Sequence, residues 1–270
     1  MSAFEKSGAW HDRRVKGIGG SEVASILGLS PYKSVYQLWQ EKTKRITPPD
    51  LSGLPHIIRG HLGEEACRMK LETERLKAYR PRTWNGKKAW HLCSDDGYNV
   101  DDNSLLEIKC MGRDNHEKAG KGIIPPHYEC QVQWNLFVSG AAFAEFISYR
   151  PEDETMHIIQ VAHDLVRQAE IEAAVDNFWL NHVMKDEAPE MSDLDFIEVK
   201  DEQMDALLQD FGRSLIEYKR LEGHLDSLKE RLRPFVATHP MVKSREGFKL
   251  TKTKSDQFRI KLPELWVTGE

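Results

Sequence analysis

Residues 94–110 read Ser94-Asp95-Asp96-Gly97-Tyr98-Asn99-Val100-Asp101-Asp102-Asn103-Ser104-Leu105-Leu106-Glu107-Ile108-Lys109-Cys110. Gly97 to Val100 and Leu105 to Cys110 are short strand candidates separated by Asp and Asn, so the stretch reads as a hairpin. Side chains alternate along a strand, which places Glu107 and Lys109 on one face. Asp96, at the start of the preceding strand, approaches that face. Two carboxylates and an ammonium then converge. Such an oxygen-only set suits Mg²⁺ or Mn²⁺, and the lysine is placed to orient or deprotonate a water near a phosphate. A Glu-Ile-Lys triplet is also an ordinary exposed cross-strand pair. The Asp at hairpin distance is what separates the two readings.

Outward from this hairpin the periodicity changes. On the N-terminal side, residues 17–30 (GIGGSEVASILGLS) read as a glycine-rich turn entering a short helix capped by Ser21. Ser34 to Lys44 reads as a second helix with Val35, Leu38 and Trp39 on one face. Thr47 to Pro55 is a loop. From Ile57 the spacing of Ile58, Leu62, Ala66 and Met69 predicts a longer helix buried along those residues, with Glu64 and Glu65 at its middle. Ala89 to Ser94 is a further strand candidate.

On the C-terminal side, Pro125-Pro126 precede a helix from His127 to Ser139, ended by Gly140. Phe143 to Tyr149 and Met156 to Val161 form a strand pair across a PEDE turn, and His163 to Met184 returns to helix. The order predicts a mixed α/β fold, a central sheet flanked by helices, over residues 1–200. Residues 201–270 read as a separate extension. There Met204, Phe211, Tyr218, Leu225 and Leu232 fall seven apart, with Leu207, Leu221 and Leu228 between them. This is an amphipathic, coiled-coil-like helix ended by Pro234, suited either to dock on the core or to self-associate. A basic tail follows as a candidate exposed hairpin.

The 270 residues carry a net charge of −5 and are 40% hydrophobic, a composition that supports a sizeable core without disulfides. The four cysteines (Cys67, Cys93, Cys110, Cys130) form no CxxC pair, and the histidines show no ligand spacing with them, which disfavours structural zinc. No apolar run reaches membrane length, and the first residues lack a signal-type apolar stretch; a cytoplasmic location is expected. The negative total argues against a nucleic-acid partner until the charges are placed. Residues 68–88 hold eight basic and two acidic side chains, and residues 243–261 hold seven and two. Asp95, Asp96, Asp101, Asp102 and Glu107 lie between these stretches with no Lys or Arg among them. Solvated faces and an acidic metal site flanked by phosphate-binding surface are equally compatible with this pattern.

The Asp96…Glu107-Ile108-Lys109 arrangement resembles the PD-(D/E)xK nuclease superfamily. The flanking segments are similar to one branch, the phage lambda exonuclease and YqaJ-type viral recombinase family. Five segments match in order: Gly17-Ile18-Gly19-Gly20-Ser21-Glu22 with Ile26-Leu27-Gly28-Leu29-Ser30-Pro31-Tyr32; Arg59-Gly60-His61-Leu62-Gly63-Glu64; Ser94 with Asp96-Gly97; Leu106 to Cys110; and Tyr128-x-x-Gln131-Val132-Gln133 with Gly140. They cover about residues 10–160.

The resemblance implies a restriction-endonuclease-like mixed sheet flanked by helices. It also implies a 5′→3′ exonuclease that degrades one strand of linear double-stranded DNA and leaves 3′ single strands for annealing-type recombination. Asp96 and Glu107 would bind catalytic Mg²⁺ (or Mn²⁺), with the Ile108 carbonyl as a further ligand. Glu64 would reach a second ion. Lys109 would position or activate water, and Gln131 would hold Lys109 or that water. Arg14, Ser21 and Ser94 would form a pocket for a terminal 5′-phosphate. A ring-shaped homotrimer and a single-strand annealing partner are implied as well. Asp95 stands where the family often has Pro and competes with Asp96 as the ligand; the Asp96-Gly97 pair favours Asp96. The alternatives are an endonuclease of the same superfamily, of restriction or junction-resolving type, and a catalytically silent DNA-end scaffold. Gln133 reads as structural, Glu65 as solvent-facing, and Trp10, Tyr32 and Trp39 either stack on an unpaired base or lie in the core.

Overall fold

The computed structural model describes residues 13–49, 51–253 and 258–263, and the chain divides into two compact units, Met1–Ile197 and Glu198–Glu270. Trp10 lies outside the described residues.

The first unit is built on a four-stranded mixed sheet in the order β3 (Gly97–Asn99), β4 (Ser104–Lys109), β5 (Phe143–Arg150), β6 (Thr155–Val161). β3 and β4 are the expected antiparallel hairpin, with Gly97 opposite Leu106. β4 and β5 run parallel, Glu107 opposite Phe146 and Lys109 opposite Ser148. β5 and β6 are antiparallel. A parallel pair needs a crossover, and this one consists of α4 (Arg113–Ala119) and α5 (Pro126–Ser139). α5 begins on Pro126 and stops at Gly140, whose φ of 70° suits a left-handed helix end. The mixed α/β architecture predicted from the sequence is the one observed.

The two faces of the sheet carry different cores. Leu105, Phe146 and Ala144 pack with Val132 and Leu136 of α5. Leu106, Ile108 and Ile147 pack with Cys67 and Leu71 of α3 (Pro55–Arg75). A third cluster joins α1 (Gly20–Ile26), α2 (Val35–Lys42), α5 and α6 (Leu165–Asn177) through Val23, Leu38, Trp39, Trp134, Ile171 and Val175. Beyond α6 the chain continues as a π-helical turn, Phe178–Val183.

Several expectations need correction. The face of α3 read from Ile58, Leu62, Ala66 and Met69 is the exposed one; the helix buries Gly63, Cys67 and Leu71 instead. Gly63 takes the closest approach, since a Cβ there would overlap Cys110 Sγ and lie 3.0 Å from Pro151. The buried row is short and small-residue-rich, so it carries a weaker apolar signal than the exposed one. α1 is capped at Gly19, not Ser21: Glu22 Oε2 accepts from Gly19 N at 2.9 Å, while Ser21 is exposed. The Ala89–Ser94 candidate is strand only at β2 (Leu92–Ser94), paired with the unpredicted β1 (Thr83–Asn85) in a separate two-stranded sheet.

The basic stretch 68–88 is largely committed within the fold. Arg75 pairs with Glu145, Lys77 with Asp102, Arg80 with Glu72, and Lys88 with Glu172 and Asp176. Arg82 lies 4.4 Å over the Tyr98 ring. Among the described residues, His91, Glu172 and Asp176 place ligand atoms near one another, but the Lys88 ammonium already pairs with both carboxylates and offsets one of their two charges.

In the second unit, α7 (Glu202–Thr238) is capped by Asp201, whose side chain accepts from Met204 N at 3.0 Å. Pro234 does not end it; the helix runs on to Thr238. A three-stranded antiparallel sheet follows, β7 (Met241–Lys243), β8 (Lys249–Lys252) and β9 (Phe258–Lys261), one strand more than a hairpin. Among the described residues of this unit Val236 and Leu250 are the buried apolar side chains, whereas Phe211, Tyr218, Leu221 and Leu225 are exposed. Among the described residues no helix is long and apolar enough to cross a membrane.

Candidate active site

The hairpin and the crossover helix bring the central residues together. Asp96 sits one residue before β3, tied to β4 by its backbone N–H to Leu106 O at 3.1 Å. Its carboxylate Oδ2 accepts from Ile108 N at 2.7 Å, which fixes it beside Glu107 and Lys109. Asp95 points elsewhere: its oxygens accept from Arg82 N (3.1 Å) and from the Trp84 indole N–H (2.6 Å). Burial pushes the Asp95 carboxyl up to about 7 against those two hydrogen bonds. The two neighbouring aspartates therefore occupy different environments, and the geometry of Asp96 is the one compatible with a ligand shared with Glu107.

Glu107 is 3% exposed, and all of its contacts converge from one side. Oε1 accepts from Gln131 Nε2 at 2.6 Å and pairs with Lys109 Nζ at 2.5 Å. Oε2 accepts from Asn135 Nδ2 at 2.9 Å. Gln131 and Asn135 stand one turn apart on α5, so both point at the strand the helix covers. Gln131 thus holds Glu107, not Lys109. Asn135 escaped the sequence reading; its i+4 spacing from Gln131 was the available signal. Tyr128 closes the site, with Lys109 Nζ 5.6 Å from its ring centroid.

Glu64 reaches this group from the middle of α3 and is half-buried, while Glu65 beside it is exposed. Burial, the Asp96 carboxylate and Glu107 raise Glu64 to about 8, against the pull of Lys109. Burial also raises Glu107 to about 7; Asp96 adds to this and Lys109 opposes it. Burial disfavours the Lys109 ammonium, but Glu107, Asp96 and Glu64 outweigh it and hold the group above the ordinary lysine range. Three carboxylates facing one ammonium leave excess negative charge in a desolvated place. A divalent cation would relieve it, and the all-oxygen donor set fits Mg²⁺ or Mn²⁺.

Arg14, Ser21 and Glu22 form a second group. Arg14 Nη2 pairs with Glu22 Oε1 at 2.8 Å and donates to Ser21 Oγ at 3.3 Å. Behind them Lys42 Nζ is buried and donates to both Glu22 oxygens (2.8 Å), Gly17 O (2.8 Å) and Arg14 O (2.5 Å). Arg14 and Lys42 overcome burial and hold Glu22 down at about 2, while burial lowers Lys42. Neither Glu22 nor Lys42 was singled out by sequence. The glycines explain how this segment reaches the core. Ile18 bridges to His91, and a Cβ on Gly17 would meet Trp90 O at 2.8 Å. Ser94, at the end of β2, is tied to the central group through its backbone carbonyl, which accepts from Asn135 Nδ2 at 3.2 Å.

The remaining residues divide clearly. Gln133 binds Ala162 O, Asp164 N and Gln168, a structural role. Trp39 is buried in the core, whereas Tyr32 is 79% exposed.

Comparisons with known proteins bear on the same region. The Bacillus subtilis (strain 168) protein YqaJ is 29% identical over 193 residues, 67% of this chain and 57% of that protein. The chain thus spans less than two thirds of that relative's length. Protein D345L of African swine fever virus (Tick/Malawi isolate) is 55% identical over 41 residues, 15% of this chain and 12% of its own. The fold is similar to a crystal structure of an alkaline exonuclease, LHK-Exo, from Laribacter hongkongensis. That match has a TM-score of 0.57 at 24% identity and covers 67% of this chain and 94% of the other. Residues 9–142 match the YqaJ-like viral recombinase domain, and within them lie Arg14, Ser21, Glu64, Ser94, Asp96, Glu107, Lys109 and Gln131. By that match, residues 9–142 are identified as a YqaJ-like viral recombinase domain.

Proposed function

We propose that this protein is a metal-dependent 5′→3′ exonuclease that degrades one strand of linear double-stranded DNA, leaving 3′ single strands for annealing-type recombination. The observation that carries the reading is the meeting of Glu64, Asp96 and Glu107, from three separate elements, around Lys109. The fold neighbour LHK-Exo is an alkaline exonuclease that has also been crystallised with dAMP, which supports a nucleotide-releasing reaction. We place the metal at Asp96, Glu107, the Ile108 carbonyl and Glu64. Two Mg²⁺ ions there, or Mn²⁺ in their stead, would supply Lewis acidity to the phosphate oxygens and acidify water.

The side chains do the rest. Gln131 and Asn135 each bond one oxygen of Glu107 and so set the orientation of the carboxylate. Lys109 keeps its proton among the carboxylates and acts as a donor that orients water or a phosphate oxygen. Its position over Tyr128 limits its swing. Arg14 and the Ser21 and Ser94 hydroxyls would receive a terminal 5′-phosphate, the guanidinium supplying two parallel donors. A ring-shaped homotrimer would hold DNA topologically, reducing the need for net positive charge, and a single-strand annealing protein would take over the exposed 3′ strand.

The test is cleavage of end-labelled linear duplex, 5′-phosphorylated against 5′-hydroxyl, with Mg²⁺ and with closed circular DNA alongside. The phosphorylated end should be digested faster from its 5′ side and the circle left intact. Lys109→Ala should abolish cleavage while retaining DNA binding. Cutting of the circle, or full activity in Lys109→Ala, would overturn the reading.

A further inference from the structure

Asn135 is 2% exposed and touches three parts of the site at once. Its Nδ2 donates to Glu107 Oε2 at 2.9 Å and to the Ser94 carbonyl at 3.2 Å. Both partners are pure acceptors, which fixes the orientation of the amide. The opposite atom, Oδ1, is buried without a hydrogen-bond partner among the described residues. It abuts Gly20, the first residue of α1: a Cβ there would overlap Oδ1 and lie 3.1 Å from Asn135 Cγ and 3.2 Å from Gln131 Cγ. Gly20 adjoins Ser21, whose hydroxyl accepts from Arg14. One amide therefore bridges a carboxylate at the centre of the site, the backbone of Ser94 and the helix start that carries Ser21.

We infer that Asn135 is a positioning residue that couples recognition of the 5′-terminal phosphate to the placement of the Glu107 carboxylate. The inference rests on the proposed assignment of Arg14, Ser21 and Ser94 to the end phosphate and of Glu107 to metal. The physical link is short. A phosphate engaging Ser21 and Ser94 pulls on the two backbone segments that flank Asn135. The amide packs against Gly20 on one side and is bonded to Ser94 on the other, so it cannot move independently of them. Its other hydrogen bond then transmits any displacement to Glu107 Oε2, while Gln131 keeps Oε1 in place. An end phosphate thus raises the cleavage rate constant as well as the affinity. Buried polar atoms are ordinarily paired, and an unpaired amide oxygen packed on a bare backbone marks a position kept for its geometry.

Two variants of the full-length chain test this, Asn135→Ala and Gly20→Ala, each checked for folding by circular dichroism. Gly20→Ala presses on Oδ1, and on Gln131 Cγ at 3.2 Å, so it displaces the amide without deleting it. The first measurement is Mn²⁺ affinity without DNA, by electron paramagnetic resonance. Asn135→Ala should weaken it roughly 10- to 100-fold, the usual effect of losing a group that holds a metal ligand. The second is single-turnover cleavage of 5′-phosphorylated and 5′-hydroxyl linear duplex at saturating protein. The ratio of the two rates should fall about tenfold in both variants. A role confined to stability lowers both rates together and leaves the ratio intact. Folded variants that keep the wild-type ratio and bind Mn²⁺ within about twofold of wild type would overturn the inference alone. A wild-type chain that neither binds Mn²⁺ nor distinguishes the two ends would overturn the exonuclease reading and the inference with it. Where Asn135→Ala does not fold, the ratio in Gly20→Ala decides.

Discussion

Addition of Mg²⁺ should stabilise this protein strongly at pH 8 and hardly at all at pH 5. The perturbation follows from Glu64, held at about 8 by burial and by Asp96 and Glu107. A carboxyl raised in the folded state favours folding while protonated. That contribution is complete below the ordinary carboxylate range and is lost as pH rises through about 8. Between pH 4.5 and 8 the folded, metal-free protein keeps a proton that the unfolded chain releases, so its stability falls across that window. At pH 5 a cation must first displace a proton held three pH units above solution, a cost of about 4 kcal/mol at 1.36 kcal/mol per unit. Solvent screening at the half-buried Glu64 reduces this, so affinity at pH 5 falls roughly 100- to 1000-fold. With Mg²⁺ at about 100 times its dissociation constant at pH 8, stabilisation is about 2.7 kcal/mol. The same concentration at pH 5 reaches at most about the dissociation constant, giving about 0.4 kcal/mol. Urea unfolding followed by tryptophan fluorescence reads mainly the first unit, because six of the seven tryptophans fall within residues 1–197 and one, Trp266, falls beyond. Taking the difference with and without Mg²⁺ at each pH cancels every group outside the metal site. Equal stabilisation at the two pH values, or none at pH 8, would refute the reasoning. A Glu64→Gln variant should lose part of the contrast, the remainder coming from Glu107, which burial holds at about 7.

Lys42→Met should destabilise the first unit by about 3–5 kcal/mol in urea unfolding, since it leaves the buried Glu22 carboxylate only Arg14 and the Gly19 N–H and takes the donor from two backbone carbonyls. Adding Glu22→Gln should recover much of that loss, and a single variant within about 1 kcal/mol of wild type would contradict the pairing. Acid should weaken the same region: Glu22 lies at about 2 when folded, so its stabilisation is present above the ordinary carboxylate value and is lost as pH falls from about 4.5 to 2. Leu71→Ala should cost about 2–5 kcal/mol, whereas Leu62→Gln and Met69→Gln should stay within about 0.5 kcal/mol. Thermal unfolding distinguishes the two faces of α3.

The sheet and its central chemistry were legible because local pattern and tertiary structure agree there. The Asp96-Gly97 turn, the alternation through Glu107 and Lys109, and the Pro126-to-Gly140 helix are each specified within a few residues. α3 was misread for a physical reason. Its buried row contains Gly63 and Cys67, whose value lies in close approach, while its large apolar residues Leu62 and Met69 face outward. A periodicity argument weights size and hydrophobicity and so selects the wrong face. Asn135 and the Glu22–Lys42 pair were hard to find for another reason: apart from the spacing of Asn135 from Gln131, a polar residue in a helix gives little local sign of burial, and its partner lies 20 or more positions away. The charge runs were ambiguous in the same way. Arg75, Lys77 and Lys88 were as compatible with a solvated face as with phosphate-binding surface, and each finds an acidic partner that only the folded chain brings near.

The same long-range pairing separates Asp95 from Asp96, which sequence left in competition. Two adjacent residues at the entry to a strand point to opposite sides, so only one can face Glu107. Asp95 is drawn to the β1 side by Arg82 N and the Trp84 indole, and these hydrogen bonds occupy both of its oxygens. Among the described residues Asp96 Oδ1 accepts no hydrogen bond, while Ile108 N anchors Oδ2, and that anchor is the residue between Glu107 and Lys109. Replacing Asp95 by Asn should therefore act mainly on stability, because the Asn amide can still accept from one of the two donors but not both. Replacing Asp96 by Asn should act on metal affinity, because it removes charge from the centre of the carboxylate group. Mn²⁺ titration and urea unfolding of the two variants should give opposite rankings. If Asp95→Asn lost metal affinity and Asp96→Asn kept it, the hairpin would present the other carboxylate to Glu107, and the assignment of the site would have to move by one residue.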